Sequence, residues 1–145
     1  MHFMTRRMAP LFALLISLAL AAPLAAAPLE VRVDISQQRM VVKRDGKVVG
    51  DWPVSTARKG KVTPTGTFRP QALKKTHYSS LYDNAPMPYS IFFRGNYAIH
   101  GTNQVKRLGR PASAGCVRLS TGNAKKLFAM VQQVGMKGTR ITVVR

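Results

Sequence analysis

Ser113-Ala114-Gly115-Cys116-Val117-Arg118 sets the only cysteine of the chain behind a run of small residues and two places before an arginine. Small residues let a substrate approach the sulfur and leave backbone N–H groups uncovered. Arg118, a basic background and the start of a following helix would all favour negative charge, so Cys116 is expected to be partly exposed and more acidic than an ordinary thiol of about 8.5. A nucleophilic cysteine needs a base within reach. His100 closes the apolar run Tyr97-Ala98-Ile99 and is followed at once by Gly101, so a strand end would hold its imidazole rigidly. His77, beside Ser79 and Ser80 in an irregular polar stretch, reads as facing solvent. One cysteine cannot form a disulfide within its own chain, which leaves pairing between chains, burial as an inert side chain, or use in chemistry. One cysteine with His77 and His100 offers no zinc-ligand spacing, and neither a metal nor a cofactor is expected.

The chain ahead of these residues has another character. Arg6-Arg7, the apolar stretch Leu11 to Ala22 and the alanine-rich end at Ala27 form the pattern of a secretory signal peptide over residues 1–27. Its apolar run falls short of the about 20 residues a spanning helix needs, and no later segment approaches that length. The expectation is export to the periplasm or cell envelope, with one domain over residues 28–145 and no transmembrane segment once the signal is removed. An uncleaved anchor is the alternative. Of 23 Lys and Arg, the 21 beyond Arg6 and Arg7 face 5 Asp and Glu, so residues 28–145 carry a formal +16. Such a charge suits a polyanionic neighbourhood such as cell-wall polymer. It does not suggest nucleic acid: aromatic residues are few and do not interleave with the scattered basic pairs, as a stacking platform would require. Those pairs, Arg58-Lys59, Lys74-Lys75, Lys106-Arg107 and Lys125-Lys126, read equally well as a solvated surface.

The elements that must hold the two reactive side chains are mostly strands. Leu29 to Ile35 alternates with a period of two, and Arg39–Arg44 and Lys47–Val54 flank Asp45-Gly46, a strong short hairpin signal. Pro64-Thr65-Gly66 turns into Thr67-Phe68-Arg69. Tyr89–Arg94 and Asn96–His100 flank Gly95 as a second hairpin. One helix is predicted from an N-cap at Ser120 to a stop at Gly135, with Leu127, Met130, Val131 and Val134 on its inner face. A strand over 141–144 ends the chain. Residues 71–88 and 101–115 lack a regular pattern, and long loops on a rigid scaffold often carry function. The sum is a small, mainly antiparallel β domain with one or two short helices, a sandwich or barrel-like closed sheet.

The combination of motifs resembles the YkuD-type L,D-transpeptidases. Ile99-His100-Gly101-Thr102, followed by Ser113-Ala114-Gly115-Cys116-Val117-Arg118-Leu119, is similar to that family's histidine–glycine pair and its Ser-x-Gly-Cys-Val-Arg-Leu loop. Thr63-Pro64-Thr65-Gly66-Thr67-Phe68 resembles its Thr-Pro-x-Gly-x-Phe turn, and Met87-Pro88-Tyr89 fits the approach to the histidine strand. The resemblance spans about Leu29 to Val144. It departs at Ala114, where many members carry a second histidine.

The resemblance implies a peptidoglycan transpeptidase with peptidoglycan stem peptides as partners. Cys116 would attack the carbonyl of the position-three diamino acid of a tetrapeptide stem, and His100 would serve as base and then acid. The Gly101 carbonyl would orient the imidazole. Gly115, Arg118, Ser113 and Tyr89 would bind substrate or the oxyanion. D-Alanine would leave, and an acceptor amine would take the acyl group. Water as acceptor would make an L,D-carboxypeptidase, and an inert Cys116 would leave a basic, non-catalytic wall-binding module. The acceptor and the oligomeric state are not legible in the sequence.

Overall fold

The computed structural model describes residues 27–145, and the expected leader lies outside them apart from Ala27. Nine strands and one α-helix follow in order: β1 (Leu29–Asp34), β2 (Arg39–Arg44), β3 (Lys47–Pro53), β4 (Gly66–Phe68), β5 (Ala72–Lys74), β6 (Ser90–Arg94), β7 (Tyr97–Thr102), β8 (Val117–Ser120), α1 (Thr121–Val134) and β9 (Thr139–Val144). They form a five-stranded sheet in the order β3-β2-β1-β9-β4 and a four-stranded sheet in the order β5-β6-β7-β8.

Local sequence accounts for most of this. Asp45 and Gly46 both take positive φ, 50° and 79°. That is the backbone a two-residue hairpin with matching twist requires, and β2 and β3 pair antiparallel across it. The Ser120 hydroxyl accepts from the Asn123 amide at 3.2 Å and caps α1, and Gly135 ends the helix at φ 84°. The buried stripe of α1 is Ala124, Leu127, Phe128 and Val131, an i, i+3, i+4, i+7 set. The expected face was rotated from this: Met130 and Val134 only flank the core. Alternation along β1 buries Leu29, Val31 and Val33, which meet Ile141 and Val143 of β9, Ile91 and Phe93 of β6 and Ile99 of β7 in one core.

The mainly β architecture with one α-helix is the expected one, but each sheet is mixed. β1 pairs parallel with β9, and β7 pairs parallel with β8. A parallel pair needs a long crossover. For β7 and β8 that connection is the irregular stretch beginning at Asn103, with a single 3-10 turn over Val105–Arg107. β5 and β8, three and four residues long, carry too little pattern to be read as strands.

Candidate active site

Period-two alternation sorts the four-stranded sheet into two faces. Ile91 and Phe93 of β6, Ile99 of β7, and Val117 and Leu119 of β8 enter the core. The other parity, Phe92, Arg94, His100, Thr102, Cys116 and Arg118, lines a cleft of about 550 Å³ on the opposite face. Ile99 is registered against Val117, and His100 against Arg118. The same register brings Cys116 alongside Ala98, whose backbone reaches the sulfur. His100 and Cys116 thus reach one face from neighbouring strands although 15 residues separate them in sequence.

His100 is buried, and its Nδ1 lies 2.7 Å from the Gly101 carbonyl oxygen. A carbonyl only accepts, so Nδ1 carries the proton and Nε2 keeps a free lone pair. Gly101 is required where it stands: a Cβ there would lie 2.9 Å from Cα of Thr121 at the start of α1. Burial pushes the His100 imidazole down to about 4, against the Gly101 hydrogen bond, and the nearby Arg118 and His77 depress it further.

The Cys116 thiol is half-buried and touches the Asn96 carbonyl oxygen at 3.8 Å. Burial pushes it above the ordinary cysteine range, although a backbone hydrogen bond from Ala98 and the charge of Arg118 pull it down. The expected acidic thiol is therefore corrected. One cause is position: β8 places the first turn of α1 about 13 Å along the chain from Cys116, beyond the reach of a helix terminus, whose influence fades within a turn. Both shifts favour the uncharged forms, a thiol and a neutral imidazole.

The loop before Cys116 is tied from several directions. Ser113 Oγ donates to the Cys116 carbonyl at 2.6 Å and accepts from the Gly115 amide at 3.0 Å. Thr63 Oγ1 donates to the Gly115 carbonyl at 2.8 Å and accepts from the Ala57 amide at 3.0 Å. The Arg58 amide donates to the Ser113 carbonyl, and the Ser113 amide to that of Thr56. Gln38 in turn grips Thr56 through both ends of its amide, at 2.6 Å and 3.0 Å. Gly115 stands at φ 140°, and a Cβ would come within 2.6 Å of the Tyr97 ring.

Of the expected site residues, Cys116, His100, Ser113 and Arg118 line the cleft, while Gly101 and Gly115 stand directly behind it. Tyr89 is not brought there. Its φ of 54° turns its ring edge-on to Phe128 of α1, with centroids 5.6 Å apart. His77 is the opposite case: rather than facing solvent, it lines the cleft and stands edge-on to Phe92 at 5.1 Å. Ala114 also lines the cleft, so the position of the family's second histidine opens onto the same space as His77. Arg58 joins from the segment after β3, which sequence reading had left as one of several surface basic pairs. Among the described residues no three His, Cys, Asp or Glu converge as metal ligands, and no helix is long and apolar enough to cross a membrane.

The sequence model of the YkuD L,D-transpeptidase catalytic domain matches residues 28–143. The chain belongs to that family. This L,D-transpeptidase domain is 25% identical over 122 residues to the family protein YkuD of Bacillus subtilis, covering 81% of this chain and 67% of the relative. It superposes on an L,D-transpeptidase from Mycobacterium smegmatis with a TM-score of 0.74 at 25% identity, covering 82% of this chain and 59% of that one. The L,D-transpeptidase LdtMt1, solved with imipenem, gives 0.72 at 25% identity, with coverages of 81% and 59%. The L,D-transpeptidase domain described here thus spans about three fifths of those solved chains.

Proposed function

We propose that the protein is an exported peptidoglycan L,D-transpeptidase in which Cys116 is the nucleophile and His100 the base. The observation that carries this reading is the 2.7 Å contact from His100 Nδ1 to the Gly101 carbonyl. It fixes the tautomer, so that Nε2 is the atom left to take a proton on the face His100 shares with Cys116.

A neutral thiol and a neutral imidazole require the proton to move during attack rather than before it. As Sγ bonds to the position-three carbonyl carbon of the donor stem, its proton passes to Nε2. The imidazolium so formed is stabilised by the Gly101 carbonyl, which needs no carboxylate. The Gly115 amide is already engaged by Ser113, which leaves the Cys116 amide as the nearer oxyanion donor. Collapse of the tetrahedral adduct breaks the C–N bond. The departing D-alanine amine takes the proton from Nε2, leaving a thioester on Cys116. An acceptor amine then attacks the thioester and gives its proton to His100. The C–S bond breaks, and the departing sulfur takes that proton back from Nε2 to restore the Cys116 thiol. Water in place of the amine gives the carboxypeptidase outcome. A surplus of basic residues over a domain facing the anionic wall supports residence in the periplasm or cell envelope.

The test is release of D-alanine from a disaccharide tetrapeptide by wild type, His77→Ala, His100→Ala and Cys116→Ala, together with intact mass after exposure to imipenem. Loss of D-alanine release in both His100→Ala and Cys116→Ala is expected, with the imipenem adduct absent from Cys116→Ala and much slower to form in His100→Ala. Full activity in His100→Ala would move the base elsewhere. A wild type that is inactive and unlabelled would return the protein to a wall-binding module.

A further inference from the structure

Among residues lining the cleft there are three arginines, Arg58, Arg94 and Arg118, and no aspartate or glutamate. Arg58 and Arg118 approach each other from separate segments. Arg118 lies on β8, whose backbone bridges to Ser55, and the Arg58 amide is bound to the Ser113 carbonyl beside Cys116. Among the described residues the two ion pairs are Arg39–Asp51 and Glu30–Arg140, both away from the cleft. The nearest acid in sequence to any lining residue, Asp83, sits in the exposed turn after Tyr82 and does not line the cleft. Arg118 is half-buried. Burial disfavours its charge, and the guanidinium groups of Arg107 and Arg58 add to that, against an opposing pull from Cys116. Like charges gathered in a partly desolvated cleft without a counter-ion weaken the fold unless an anion arrives from outside.

We propose that Arg58 and Arg118 form a carboxylate-reading pair, so that the protein selects stem peptides with a free carboxylate near the scissile carbonyl and discriminates against stems amidated there. The inference rests on the proposed function and names the substrate class of the same site. Two planar guanidinium forks two residues and one loop from the nucleophile suit bidentate contact with a carboxylate. An amide of the same shape lacks the charge and replaces one acceptor with a donor that faces other donors.

The experiment is equilibrium binding of tetrapeptide stems to Cys116→Ala protein, which is unreactive, so that affinity is read without turnover. Three probes are used: the free acid, the stem amidated on the diamino acid side-chain carboxyl, and the stem amidated on the terminal D-alanine. One amidated probe is expected to bind about tenfold or more weakly than the free acid, the loss of a charge-assisted hydrogen bond, and the probe that loses affinity identifies which carboxylate is read. Arg58→Gln and Arg118→Gln, added separately, should bring the ratio towards one, and the lysine variants should restore only part of it. Lys47→Gln, which removes the same charge from the distant β2–β3 hairpin, should leave the ratio unchanged. Raising the salt should weaken the free acid more than the amidated stem, a readout that needs no arginine variant to fold. Equal affinity for all three stems, or a preference that survives in both glutamine variants, overturns this inference while leaving the proposed function standing. Failure of every stem to bind overturns both.

Discussion

The hydroxyl of Thr63 is hydrogen-bonded to the carbonyl oxygen of Gly115 across a separation of 52 residues, at 2.8 Å. Thr63 is buried and also accepts from the Ala57 amide. One hydroxyl thereby joins the Thr-Pro-Thr-Gly turn to the loop that presents the nucleophile. Thr63→Val keeps the shape and leaves a buried carbonyl and a part-buried amide unpaired. The expected cost is about 1–3 kcal/mol for each group left unsatisfied, read by urea denaturation. A slower imipenem acylation should accompany it, and Thr63→Ser should restore both.

Gly115→Ala tests the same loop by a different force. The added methyl would meet the Tyr97 ring at 2.6 Å and the Val62 carbonyl oxygen at 2.8 Å, at a φ of 140° that L residues rarely adopt. The backbone must shift and carry Cys116 with it. Acylation by imipenem is expected to fall by about 100-fold, the scale set by about 1 Å of misplacement. Gly115→Ala,Tyr97→Ala, which removes the ring but not the positive φ, should recover only part of the rate.

Alkylation of Cys116 by iodoacetamide should rise with pH through a midpoint above the ordinary cysteine range, because burial outweighs Arg118 and the Ala98 hydrogen bond. A midpoint at or below about 8.5 would restore the preformed thiolate and remove the need for proton transfer during attack. Arg118→Gln should push the midpoint higher still, since that guanidinium favours the anion.

Stability should depend on acid through His100. Its folded value is about 4, below the about 6.5 of an unfolded histidine. Between these values the unfolded chain binds the proton and the folded one does not, so stability is whole above pH 6.5, falls as the pH drops, and levels off below about 4. The difference corresponds to roughly 3 kcal/mol. Urea midpoints measured across that window should show the decline, and His100→Gln should remove that part of it.

His77→Ala should leave the Gly101–His100 contact in place and reduce turnover far less than His100→Ala. His77 depresses the basicity of His100 slightly, so its removal should move the acid limb of the pH–rate profile to a higher pH. An unmoved acid limb would place His77 electrostatically outside the site.

The residues of the proposed dyad were legible because each lies in a contiguous motif: an imidazole after an apolar strand run and before Gly101, and a thiol after small residues. The strand itself runs on to Thr102 instead of ending at His100. The β2–β3 hairpin and α1 were legible for the same local reasons, the Asp45-Gly46 turn and the Ser120 and Gly135 caps. What escaped was brought by tertiary pairing. Arg58 and His77 sit in segments without period and enter the cleft only once Ser113 and Phe92 hold them there. β8 was hidden because its alternation runs for only four residues, and its parallel register with β7 is what aligns His100 with Arg118. The raised thiol was missed because the burial that raises it is set by tertiary packing and not by the small residues that flank Cys116 in sequence. Tyr89 was misplaced because its positive φ turns it against Phe128 rather than towards the cleft.

β9 lies between β1 and β4, paired with both. The strand β1 and the turn strand after Thr63 therefore share a partner that the ribosome makes after both of them. Until Thr139–Val144 exists, β1–β2–β3 is a meander with an open edge, and β4 has no sheet to join. Closing that edge joins chain segments more than a hundred residues apart, a loop-closure cost met late and all at once. A premature stop ahead of Thr139 would thus yield no shorter enzyme but a chain whose largest sheet cannot assemble, with the Thr63 tether to the nucleophile loop losing its footing beside β4.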